Sequence, residues 1–223
     1  MDLNKTTPVA YPDAGALAQN KVLRQTYTLL SMTLLFAALM AGVAMATGVS
    51  PIMSMVASIG GIVLLAFVLP RFAEQTAGIG LVFAGTGLLG FGLGPLLSMY
   101  LSLPNGPTVV ATAMGGTGVI FLGLSAYVLT TKKDFSFMGG FLMVGIMVLF
   151  GAIILNLFVQ MPALQITISA AMVLLMSGFI LFDTSRIING GETNYILATV
   201  SLFINIFNLF TSLLHLLGIM SDD

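Results

Sequence analysis

Apolar residues run unbroken along most of this chain, and charged side chains interrupt them at few points. Residues 25–70, 75–131, 135–182 and 193–221 contain no Asp, Glu, Lys or Arg. Within these runs the apolar positions are continuous rather than alternating, the pattern of helices and not of outer-membrane barrel strands. A helix needs roughly 20 apolar residues to cross a bilayer core about 30 Å thick. The first three runs are each long enough for two crossings and the fourth for one. Turn formers divide the first three: Gly48-Val49-Ser50-Pro51, Ser102-Leu103-Pro104-Asn105-Gly106-Pro107 and Gln160-Met161-Pro162. The pattern therefore predicts seven spans, at residues 26–47, 51–70, 78–101, 108–131, 136–159, 163–186 and 194–219. The fold class is an all-α integral membrane protein, a seven-transmembrane-helix bundle with span 7 expected at its centre.

The positions of Lys and Arg set the orientation. Lys5, Lys21 and Arg24 precede span 1, Arg71 follows span 2, Lys132 and Lys133 follow span 4, and Arg186 follows span 6. All seven basic residues thus fall on one side of a seven-span arrangement, which supports the span count independently. This predicts a cytoplasmic N-terminus and a periplasmic tail, Ser221-Asp222-Asp223. Residues 1–20, with Pro8 and Pro12, read as a disordered cytoplasmic tail, and 21–223 as the transmembrane domain. Ala44-Met45-Ala46 imitates a signal-peptide cleavage site. The apolar run before it is longer than an h-region, so span 1 is expected to stay as an anchor.

Composition narrows the chemistry. The chain is 58% hydrophobic and 7% charged, against about 25% charged in a soluble domain. It has no Cys and one His, which excludes thiol chemistry, iron–sulfur clusters and a multi-His metal site. Gly123-Leu124-Ser125-Ala126 and His215 suggest an intramembrane serine protease, but the topology puts Ser125 and His215 toward opposite faces of the membrane, beyond hydrogen-bond reach. A retinal protein needs a Lys within a span, and none has one. No enzymatic activity, cofactor or bound metal is expected.

Three features inside the spans need an explanation. Gly80, Ala84, Gly87, Gly90 and Gly94 place small residues along span 3, as tight packing or the wall of a cavity requires. Pro95 is expected to kink that span. Asn205 and Asn208 share a face of span 7, Asn205 about 11 residues in, or roughly 16 Å deep at 1.5 Å per residue. They bond a neighbouring helix or line a pathway. Asp183, in Phe182-Asp183-Thr184-Ser185-Arg186, is either a functional acid at membrane depth or an interfacial acid satisfied by Arg186. Position alone leaves both open.

The second half of the chain resembles the Bax inhibitor-1 family. The resemblance lies in residues 127–137, beginning Tyr127-Val128-Leu129, in Ile180-Leu181-Phe182-Asp183, in Leu202-Phe203-Ile204-Asn205-Ile206-Phe207-Asn208, and in the ending Leu213-Leu214-His215. A bacterial branch of the family matches more closely, through Lys21-Val22-Leu23-Arg24, Gly94-Pro95 and Gly190-Gly191-Glu192-Thr193-Asn194-Tyr195-Ile196. The resemblance implies two functions. Relatives of the bacterial branch associate with FtsH, a membrane-anchored ATP-dependent protease, and restrain it as slowly handled substrates. Residues 5–20, which begin with Lys5 and end with Asn20, are then the handle such a protease could grip. Other members are pH-sensitive calcium leak channels, and Ca2+ or a proton would be the transported ion. In those, an aspartate on span 6 and another on span 7 share a proton, and an arginine ending span 2 supports the closed state. Asp183 matches the first aspartate. Asn205 takes the place of the second and cannot ionise, so it lacks the repulsion of paired carboxylates and can instead donate a hydrogen bond. Arg71 lies within about one position of that arginine, with Pro70 the alternative match. Asp183, Asn205, Arg71 and Arg186 are therefore the candidate ion-pathway or pH-sensing residues.

Overall fold

A computed structural model describes residues 14–220, and all regular structure among them is helical. The elements are α1 (Ala14–Ala46), α2 (Pro51–Val63), α3 (Ala77–Gly92), α4 (Gly94–Leu101), α5 (Gly106–Thr131), α6 (Gly139–Val159), α7 (Pro162–Ile188) and α8 (Tyr195–Met220). Among the described residues, seven spans are long and apolar enough to cross a membrane, with α3 and α4 together forming the third. The elements end where the breakers predict. Ser50 accepts a hydrogen bond from the Met53 N–H ahead of Pro51, and Pro162 opens α7. Lys132 and Gln160, both at φ 51°, close α5 and α6 in the left-handed conformation.

Three differences from the sequence reading stand out. Among the described residues helix α1 covers Ala14–Ala46, so residues 14–20 are helical where the sequence reading placed a disordered tail. The rest of the expected handle, from Lys5 to Asp13, lies outside the described residues, as does the tail Ser221-Asp222-Asp223. Helix α2 does not run on as a plain α-helix. It passes through a π-helical segment, Leu64–Val68, and a 3₁₀ turn, Leu69–Arg71. The expected kink at Pro95 is a full break, with Leu93 outside both α3 and α4. A proline lacks the N–H that would bond back to residue i−4.

Helix α8 is the centre of the bundle, packed by α7, α5, α1 and α3. Its core is 56% buried, against 11% for the span that contains α6. Leu202, Phe203, Leu209 and Leu214 of α8 are almost wholly enclosed. Helix α3 packs between α1 and α2 on one side, and α6 packs on α7 at the other.

The small residues of α3 serve two neighbours rather than one face. A Cβ on Gly87 or Gly90, or on Gly94 at the start of α4, would overlap Phe36, Ala37 or Ala44 of α1. One on Gly85 or Gly92 would overlap Leu65 or Ser58 on the α2 side. Gly80 and Ala84 are exposed, and a Cβ on Gly80 meets nothing. Tight packing is therefore the role of this glycine-rich helix, which is thin enough for backbones to approach from both sides.

Candidate functional site

Every charged residue described, from Lys21 to Glu192, lies at or near one end of the bundle. The loops there are tied to one another by side chains. Ser185 of α7 accepts from the Phe135 N–H (2.9 Å) and donates to the Lys133 carbonyl (3.2 Å). The Asn194 carboxamide oxygen accepts from the Ile196 and Leu197 N–H groups, capping α8. Its amide group donates to the Ala73 carbonyl (3.1 Å), joining the loop before α8 to the one before α3.

Asp183 sits beneath this layer. It lies on α7, is 7% exposed, and presents one carboxylate oxygen to α8. That oxygen accepts from the Asn205 amide at 2.7 Å and from the Ser201 hydroxyl. Ser201 and Asn205 are one helical turn apart, so both donors point from one face of α8. Taking a carboxylate out of water costs several kcal/mol unless hydrogen bonds replace the lost solvation. Two converging donors on one oxygen are that replacement.

Arg186 does not satisfy Asp183 as the i+3 spacing suggested. It pairs with Glu192 at 3.5 Å, donates to the Gly191 carbonyl at 3.1 Å and lies over the Phe182 ring. This is the one ion pair among the described residues. Between it and Asp183 is a cavity of about 10 Å³, lined also by Ile187, Ala198 and Ser201. That is at the lower limit for a single water. The Arg186–Glu192 pair thus roofs the carboxylate on the charged side.

The structure brings Asp183, Asn205 and Arg186 into one neighbourhood and leaves Arg71 outside it. Arg71 is exposed at the end of its 3₁₀ turn and forms no ion pair with Asp183. Asn208 bonds its own helix, donating to the Ile204 carbonyl at 2.9 Å. Ser201 and Glu192 were missed in the sequence. The i, i+4 spacing of Ser201 and Asn205 was the available signal. Ser125 and His215 stay toward opposite ends of the bundle, and His215 contacts the Thr211 carbonyl and the Tyr100 ring. Among the described residues, no cluster of three or more His, Cys, Asp or Glu could hold a metal ion.

The family model described as inhibitor of apoptosis-promoting Bax1 matches residues 19–222. The chain belongs to this family. It is a multi-pass inner-membrane protein of the Bax inhibitor-1 type. Its relatives within the family include the modulator of FtsH protease YccA of Escherichia coli, 49% identical over 221 residues, covering 99% of this chain and 100% of that one. A membrane protein of Vibrio cholerae is 51% identical over 207 residues, covering 93% of each chain. A Pseudomonas aeruginosa protein is 47% identical over 202 residues, covering 91% of this chain and 90% of its own.

Proposed function

We propose that this protein modulates the FtsH membrane protease, competing for it as a slowly degraded partner. The observation that carries this is the match to the YccA modulator, which covers nearly the whole of both chains. The packing supports it. A protease that grips residues ahead of α1 meets a helix packed closely against α3 at Gly90 and against α4 at Gly94. Behind it stands a central helix bonded to a buried carboxylate. Deleting residues 2–12 is expected to lengthen the protein's life in cells several-fold and to slow turnover of other FtsH substrates. Unchanged lifetime after that deletion would remove the handle from the account.

One observation favours a second reading, a calcium or proton leak. A carboxylate buried in a span is a functional hypothesis by default, and Asp183 lies under a small cavity closed by an ion pair. Purified protein in dye-loaded liposomes, compared with Asp183→Asn at two pH values, decides it. Flux that depends on Asp183 supports the leak. A flat trace from folded protein leaves the carboxylate as a structural tie.

A further inference from the structure

A second cavity, of about 460 Å³, lies in the half of the bundle away from the charged end. Helix α8 forms its floor with Phe203, Phe207 and Phe210, while α1 and α5 form its walls. The two walls meet at the charged side, where Tyr27 of α1 stacks on Phe121 of α5 with ring centroids 5.9 Å apart. Beyond that stack they part, and α4 closes the far end through Leu97 and Leu101.

Every side chain in the lining is apolar except Thr117, and its hydroxyl donates to the Ala113 carbonyl at 2.7 Å. The cavity therefore offers a polar ligand no free side-chain donor. It is open on one side, and its lips continue the lipid-facing surface, with Met114 58% and Leu101 40% exposed. It lies within the spans, so the medium at its mouth is hydrocarbon. Its volume falls within the roughly 300–1,000 Å³ of sites that hold a small molecule. The described loops at this end, residues 47–50, 102–105 and 160–161, carry no charge that would select a charged headgroup.

We propose that the slot between α1 and α5 binds one hydrocarbon chain of a bilayer lipid as a defined ligand. The chain enters from the leaflet at the uncharged end and stops at the Tyr27–Phe121 stack. Its recognition is by shape and apolar contact, and the headgroup is left in the interface unread.

The test uses the full-length protein in liposomes containing a phosphatidylcholine with a photoreactive diazirine at the end of one acyl chain. Labelled positions are mapped by peptide mass spectrometry. Labelling of residues 110–121 and 203–210 is expected to saturate as the probe fraction rises. Labelling of the exposed α6 surface, at Phe150 and Leu157, is expected to rise in proportion. Gly118→Phe and Ala38→Phe, which narrow the slot from its two walls, should each abolish the saturable part of slot labelling, because the added ring takes the space the chain would fill. The α6 labelling should not change. A phosphatidylglycerol probe with the same chain should label the slot equally. The proposal is overturned if wild-type slot labelling is linear and no stronger than that of α6. Slot labelling that requires the anionic headgroup, or mutual protection of the slot by a second copy of the chain, overturns it as well. The saturation result comes from the wild type, so it stands even if a variant fails to fold.

Discussion

Asp183 holds two helices together through a single oxygen. Removing one donor leaves a carboxylate in the bundle with part of its lost solvation unreplaced. Asn205→Leu is therefore expected to destabilise the protein by about 1–3 kcal/mol in detergent-micelle unfolding. A double-mutant cycle of Asp183→Asn with Asn205→Leu should give a coupling energy of about 0.5–3 kcal/mol. Additive effects would mean that the two side chains do not act as a pair. Asp134 behaves differently because it lies in the exposed loop before α6. Its carboxylate accepts from the Ser136 N–H at 2.8 Å, and hydrogen bonds to Ser136 hold its pKa below the ordinary 3.8. A depressed carboxylate stabilises the fold above its unfolded pKa and loses that contribution as pH falls through its folded value. The turn should thus be intact at neutral pH and open only in acid below that ordinary value. Amide exchange at Ser136 reads it, and Asp134→Asn should flatten the acid response. The Asp183–Asn205 pairing was legible only through the family resemblance. Ser201 passed unnoticed because a serine in an apolar helix usually bonds its own backbone.

At the scale of helices, α3 makes the clearest prediction. Gly90→Ala pushes a methyl into the Ala37 backbone and is expected to cost about 1–3 kcal/mol. Gly80→Ala meets open space and is expected to be neutral or to stabilise by up to about 1 kcal/mol, from helix propensity alone. Thermal denaturation of the two variants side by side checks both. The number and limits of the spans were legible because charge and turn formers interrupt the apolar runs. Which way each helix faces was not. In lipid both the buried and the exposed face are apolar, so periodicity carries little phase information. The most hydropathic span, the one containing α6, is in fact the least buried. The split of the α3 glycines between two neighbours was hidden for the same reason, as was the π-helical stretch in α2, which changes the backbone without changing composition. The helical character of residues 14–20 was obscured by the polar residues Gln19, Asn20 and Lys21, which an interfacial helix turn tolerates as readily as a loop does.

For the whole molecule, the segregation of charge predicts a topology that the absence of cysteine makes easy to measure. Single cysteines placed at Lys132 and at Asn105 should react oppositely with an impermeant maleimide. In intact spheroplasts Asn105→Cys should label and Lys132→Cys should not, and the reverse should hold in inside-out vesicles. Equal labelling of both from one side would break the seven-span arrangement.

The charge-free loop between α1 and α2 also has a mechanical meaning. A motor that draws this chain into the cytoplasm by its N-terminus must first haul residues 47–50 through the bilayer. A single ionised side chain there would add about 2.5–3.5 kcal/mol at the membrane centre, and this hairpin has none. Lys21 and Arg24 travel away from the lipid, not into it. Electrostatics would therefore offer such a motor little opposition, leaving the removal of the apolar α1 from lipid and its close backbone packing against α3 as the resistance. Loosening that seam should turn a slow substrate into a quick one while leaving its recognition untouched.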